Sequence, residues 1–106
     1  LDYIARNYHN RISLDDVSAY VGYSPKYFSR YFKDQTGITF VNYLNRLRIQ
    51  AAKELLADPN ILIKDVAARV GFENINTFFR VFKQFEGVTP GQYRAAHAPA
   101  QEDEQS

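Results

Sequence analysis

The chain has 106 residues, 45% of them hydrophobic and 24% charged, with a net charge of +1, two His and no Cys. That balance suits one modest core or two small ones, and it excludes a disordered chain, a disulfide scaffold and a thiolate metal site. No apolar run approaches the roughly 20 residues of a membrane span, so a soluble, cytoplasmic chain with no membrane partner is expected.

From the N-terminus, Ile4 and Tyr8 stand at i and i+4, which predicts a short amphipathic helix from Asp2 to about Tyr8, broken at Asn10 and Arg11. Ser13 followed by Asp16 is a capping box, so a helix should begin at Leu14 and run to Val21, where Gly22 ends it. Ser24 and Pro25 supply a second cap with Pro at the first helical position, opening a helix to Thr36 that Gly37 closes. Thr39 to Ala57 then contains neither Gly nor Pro and is rich in good helix formers. It reads as a connecting rod roughly 28 Å long, at about 1.5 Å per residue. On a helical wheel Phe40, Tyr43, Leu44, Leu47, Ala51 and Leu55 share one face, and Ile49, Ala52 and Leu56 make a second apolar strip. Two strips predict packing against two separate bodies. Asn42, Arg46, Gln50 and Lys53 take the polar side.

After the rod the order repeats. Ile63 to Val70 is a short helix stopped by Gly71, and a helix from about Asn74 to Phe85 is stopped by Gly87. Leu14, Asp16, Val17, Val21, Gly22 and Tyr23 match Ile63, Asp65, Val66, Val70, Gly71 and Phe72 at a constant offset of 49. Phe28, Arg30, Phe32, Lys33, Gly37, Thr39 and Tyr43 match Phe78, Arg80, Phe82, Lys83, Gly87, Thr89 and Tyr93 at an offset of 50. One departure is local: Leu62 stands where the first copy has Ser13, so the second unit should start less firmly. Thr89 and Pro90 cap a last short helix to about Ala96, and 97–106 reads as a frayed, acidic tail. Three of the twelve acids lie in that tail, which leaves 1–96 mildly basic, with thirteen cations against nine acids.

Each copy is a helix, a tight turn at Gly and a second helix, the helix-turn-helix pattern. Val17 and Val21 (Val66 and Val70) should face the second helix, Ser18 and Ala67 are small where the helices approach, and Tyr23 and Phe72 should plug the core. In the second helix of copy one, Phe28, Tyr31, Phe32 and Gln35 share one arc, against Lys26, Ser29, Arg30 and Lys33 on the other. In copy two, Phe78, Val81, Phe82 and Phe85 make the buried arc, against Asn76, Phe79, Arg80 and Lys83. An exposed face of Arg, Lys, Asn and Ser with no acid on it suits a major groove. It offers donors for guanine O6 and N7, an amide for adenine and cations for phosphate.

The order and spacing of Ile63, Val66-Ala67, Val70-Gly71-Phe72, Phe78, Arg80-Val81-Phe82-Lys83, Gly87, Thr89-Pro90 and Tyr93-Arg94 resemble the AraC/XylS-type transcriptional regulators. The linker run Tyr43-Leu44, Arg46-Leu47 and Ala51 resembles that family's as well, and the likeness covers Leu1 to about Ala96. The resemblance implies an all-α fold of about seven helices: a first helix-turn-helix subdomain (1–38), a linker helix (39–58), a second subdomain (59–96) and the tail (97–106). It implies a bacterial regulator that binds double-stranded DNA, an activator that contacts RNA polymerase. It also implies a further sensor, receiver or dimerisation domain, which agrees with a chain that opens at Leu1 and contains no Met. By that resemblance Lys26, Ser29 and Arg30 are base readers in the first unit, and Ile75, Asn76, Phe79 and Arg80 in the second. Ile75 rests on the resemblance alone. Phe79 stands where the family commonly has a small polar residue; it could meet thymine methyls or extend the core. Lys33 and Lys83 are expected to contact phosphates or nothing at all. If the two recognition helices read successive grooves they must lie roughly 34 Å apart, a span compatible with the rod plus a helix width.

Other readings are weaker. Arg30 and Arg80 would pass for surface ion pairs on solvated helices, but they recur at the same angular position. Arg48, between the two strips of the rod, is expected in a structural ion pair. The sixteen aromatics are mainly core. His9 and His97 are solitary, and no Ser-His-acid set, phosphate loop or carboxylate pair is present, so neither catalysis nor a metal or other cofactor is expected. The rivals to a sequence-specific domain are a helical-repeat protein-interaction module and a non-specific architectural DNA binder.

Overall fold

The computed structural model describes residues 2–10 and 12–97, and every element among them is helical. The order is α1 (Asp2–Asn7), α2 (Leu14–Val21), α3 (Pro25–Thr36), α4 (Phe40–Leu56), α5 (Ile63–Arg69), α6 (Ile75–Glu86) and α7 (Pro90–His97). These seven helices are the all-α fold expected from the sequence. The expected tail lies outside the described residues from 98 onward, while His97 still belongs to α7.

Local chemistry sets the helix ends. Ser13 Oγ accepts from the Asp16 N–H and the Ser13 N–H donates to Asp16 Oδ2, both at 3.1 Å, which completes the capping box on α2. Ser24 Oγ accepts from the Tyr27 N–H at 3.2 Å with Pro25 at the head of α3, and Thr39 Oγ1 does the same for Asn42 in α4. Leu62, at the head of α5, makes no side-chain cap. The start of α7 carries a second reciprocal box, Thr89 with Gln92.

The two turns between paired helices open with the same main-chain hydrogen bonds, although the second is longer by one residue between its Gly and the next helix. Gly22 and Gly71 have positive φ, 82° and 105°, which a side chain would strain. Their N–H groups donate to Ala19 and Ala68, both at 3.2 Å, and the next residues close the longer bond, Tyr23 to Ser18 at 2.8 Å and Phe72 to Ala67 at 2.9 Å.

The chain divides into two compact units, Leu1–Arg48 and Ile49–Ser106. In the first, Ile4, Val17, Phe28, Phe32, Phe40 and Leu44 form the buried core. In the second, the core gathers Ile49, Ala52 and Leu56 of α4 with Val66, Ala67, Val70, Phe72, Phe78, Val81 and Phe82. The helix α4 therefore serves the two cores mainly by length rather than by angle. Ala51 and Leu55, expected on the face shared with Phe40 and Leu44, pack against the second core. The repeat extends to ring geometry: Phe32 meets Tyr43 edge-on at 5.4 Å, and Phe82 meets Tyr93 edge-on at 5.6 Å.

Equal backbones do not give equal burial. Val21 is 44% exposed where its counterpart Val70 is 1%, and Tyr23 is 38% exposed where Phe72 is 6%. Tyr31 and Gln35 are exposed too, whereas Val81, the counterpart of Tyr31, is buried. The expectation that Val21, Tyr23, Tyr31 and Gln35 face the core is thus corrected. Phe85, also expected inside, is exposed in the second unit. The reason lies in the helix ahead of each pair. Ahead of α5, α4 supplies the buried Ile49, Ala52 and Leu56, but α1, six residues long, supplies Ile4 as its one buried core residue among those described, with Tyr3 partly buried against it. Tyr23, Tyr27 and Tyr31 pack on one another instead, with centroids 4.9 to 6.2 Å apart, beside a cleft of about 450 Å³.

Candidate nucleic-acid interface

The outward faces of α3 and α6 are fixed by what their backs bury. Phe28 and Phe32 are one turn apart and locked in the first core, so the side chains between them must point out. Lys26, Ser29, Arg30 and Lys33 are all exposed on that arc. Together with Leu14 and Asp34 they line an open depression of about 420 Å³. Asp34 corrects the expectation of an acid-free face: it stands one helical turn beyond Arg30 and lowers the net positive charge at this end of α3.

In the second unit Phe78, Val81 and Phe82 are buried, and Asn76, Phe79, Arg80 and Lys83 are exposed on the opposite arc. Here no carboxylate stands among the outward residues. Glu86, the last residue of α6, pairs with Lys53 at 3.3 Å, within the same unit. Asn74 caps the helix, its Oδ1 accepting from the Asn76 N–H at 2.8 Å, so the first turn begins at Ile75, itself 37% exposed. Phe79 opens on a cleft of about 500 Å³ with Ile63, Arg80, Lys83 and Pro90. Every residue expected at the interface is therefore on the surface, four on α3 and five on α6.

The arrangement presents two rigid helices with forked cationic donors at matching positions, Arg30 and Arg80, each followed three residues on by a Lys. A guanidinium in that setting can donate two parallel bonds to guanine O6 and N7, a carboxamide such as that of Asn76 can pair with adenine, and an ammonium suits a phosphate oxygen. Among the described residues no group of three His, Cys, Asp or Glu side chains is disposed to hold a metal ion, and no helix is long and apolar enough to cross a membrane.

One residue of the quoted pattern, Arg94, anchors the second unit. Arg94 of α7 donates to three carbonyls, Leu56, Asp58 and Ile61, at 2.7 to 3.0 Å, tying the last helix of its unit to the end of α4. An Arg in the last helix of a unit was visible in the sequence, but its acceptors are main-chain oxygens, which no side-chain pattern reveals. Asp34 was missed for a simpler reason: it follows the Lys33 position, just beyond the arc chosen on the wheel.

A family model described as a helix-turn-helix domain matches residues 17–96. The chain is 38% identical over 105 residues to an uncharacterised HTH-type transcriptional regulator of Staphylococcus aureus, covering 99% of this chain and 14% of that protein. The C-terminal domain of AraT, a response regulator from Geobacillus stearothermophilus, has a similar fold, with a TM-score of 0.90 and 31% identity over 99% of this chain and 88% of that one. The DNA-binding domain of AdpA, a global transcriptional factor solved with a target DNA, gives a TM-score of 0.86 at 25% identity, covering 99% of this chain and 93% of that one. The chain spans 12–14% of the length of the curated relatives it matches.

Proposed function

We propose, from the fact that this chain belongs to the helix-turn-helix family of AraC-type transcriptional regulators, that it is the sequence-specific DNA-binding domain of a longer bacterial regulator. It binds rather than catalyses, and its ligand is double-stranded DNA. The observation that carries this reading is the pair of outward arcs at matching positions. Lys26, Ser29 and Arg30 on α3, and Asn76, Phe79 and Arg80 on α6, are exposed on arcs turned away from the aromatic residues locked in each core, and Ile75 is exposed at the head of α6.

In this reading α3 and α6 are recognition helices that enter successive major grooves on one side of the duplex, with α4 as the connection between the two subdomains. Lys33 and Lys83 hold the flanking phosphates. The rest of the protein carries a sensor, receiver or dimerisation domain, and output in the cytoplasm is activation through RNA polymerase. Support comes from the family and from the small share of its relatives' length that this chain spans.

The test is selection of bound sequences from a randomised duplex library. Two enriched motifs about 10 to 11 base pairs apart are expected. Binding without enrichment would indicate a backbone-only architectural protein, and no binding at low salt would point to a protein-interaction module.

A further inference from the structure

The two recognition arcs do not offer the same chemistry. On α3 two outward positions in the middle of the helix are Ser29 and Arg30, both hydrogen-bonding groups. At the matching positions on α6 stand Phe79 and Arg80. Phe79 is 39% exposed, with its ring centroid 6.1 Å from that of Phe78, so the side chain rests on the core and still turns surface outward. Ile75, one turn earlier, is 37% exposed. Its counterpart at the start of α3 is Pro25. Ile75 and Phe79 thus form an apolar strip on the helix surface, with Asn76 and Arg80 directly beside it.

An apolar strip set beside an amide and a guanidinium is costly to leave in water and of no use to a phosphate. In a major groove only one base-edge group rewards it, the 5-methyl of thymine. An A·T pair also presents the adenine N6 and N7 that a carboxamide can grip. At the matching position α3 carries Ser29, so a helix-turn-helix pair of this chain closes without an aromatic ring there.

We infer that Phe79, flanked by Ile75, reads a thymine methyl, so that the second unit takes a half-site defined by thymine while the first reads its half-site by hydrogen bonds alone. This rests on the proposal that α6 enters a major groove, and it adds the base class that α6 selects there.

The experiment starts from the site enriched in the library selection and replaces each thymidine singly by deoxyuridine, which removes only the methyl group. For the unaltered protein, binding should weaken about three- to tenfold at one or two positions, the gain expected from burying one methyl or slightly more. Those positions should lie in the half-site whose preference Arg80→Ala relaxes, and none should lie in the half-site relaxed by Arg30→Ala. Phe79→Ser, which installs the residue of the first unit, should bind the thymidine and deoxyuridine duplexes equally. Tolerance of deoxyuridine at every position by the unaltered protein overturns the inference, and that arm needs no variant to fold. Sensitivity that persists in Phe79→Ser, with its circular dichroism melt unchanged, overturns it as well. If selection enriches no sequence, the underlying groove-reading proposal fails first and the inference falls with it.

Discussion

Arg48 Nε donates to the carbonyl oxygen of Tyr8 at 2.7 Å, across forty residues of chain. Its Nη2 reaches the Asn10 carbonyl at 2.9 Å, so one buried guanidinium closes the segment after α1 onto α4. Arg94 does the equivalent in the second unit, with its Nε 3.0 Å from the Leu56 carbonyl. In both units a cation from the last helix satisfies carbonyls at or just beyond the C-terminal end of the helix that precedes the pair, where the chain leaves the helix and main-chain acceptors go unmade. The structural part expected of Arg48 is thus played, in these bonds, through main-chain oxygens.

Arg48→Ala should therefore cost about 2–4 kcal/mol, since it removes two part-buried hydrogen bonds made by a buried charged donor. Arg48→Lys should recover less than half of that, because an ammonium cannot reproduce the fork. Urea unfolding at constant slope checks both. A loss below about 0.5 kcal/mol for the alanine variant would mean that α1 is held by its apolar contacts instead.

Matching positions in the two units should respond unequally to the same substitution. Val70→Ala removes two methyls from a sealed core and should cost about 2–3 kcal/mol, whereas Val21→Ala at an exposed position should cost less than about 0.5 kcal/mol. Phe72→Ala should likewise exceed Tyr23→Ala by about 2 kcal/mol. Thermal melts of the four variants decide this. Equal losses would mean that the first unit's Val21 and Tyr23 are covered in solution.

This inequality marks where sequence reasoning stopped. Caps, glycine turns and the repeat itself depend on residues within a few positions of one another, so Ser13, Ser24, Gly22 and Gly71 could be placed on helix ends from the sequence alone. The outward arcs were legible for the same reason: Phe28 with Phe32, and Phe78 with Phe82, fix the wheel. Burial of Tyr23 against Phe72 could not be read that way. It depends on the length of the preceding helix and on what that helix supplies, Ile4 in one unit and Ile49, Ala52 and Leu56 in the other. The division of α4 between two cores was visible as two stripes, but which residues go to which core was set by length along the helix.

The head of α5 offers a gain rather than a loss. Leu62 already has the extended backbone of a cap residue (φ −65°, ψ 145°), is 58% exposed, and has Asp65 three residues on. Leu62→Ser should let the new hydroxyl accept from the Asp65 N–H and raise stability by about 0.5–1 kcal/mol, while Ser13→Ala, at the matching position, should lower it by about 1 kcal/mol. A rise in melting temperature for the first and a fall for the second is the expected pair. A fall in both would show that Leu62 makes apolar contacts worth more than a cap.

If the outward faces of α3 and α6 read DNA as proposed, binding can separate base contacts from phosphate contacts. Arg30→Ala and Arg80→Ala should each cost about 1–3 kcal/mol on the selected site and relax preference at one base position, because a guanidinium bidentate to guanine has no equal partner on another base. Lys33→Ala and Lys83→Ala should weaken binding to all sequences alike, and each should reduce the slope of log affinity against log salt by about one, the release of one counterion. Asp34→Asn should do the reverse of the lysine changes at the α3 end, strengthening binding to any duplex most at low salt, since it removes the carboxylate that lines the same depression as Arg30 and Lys33. Titrations of specific and scrambled duplexes at several salt concentrations measure all five variants. An Arg variant that loses affinity equally on both duplexes would move that residue to the phosphate group. A Lys variant with an unchanged salt slope would take that Lys off the DNA altogether.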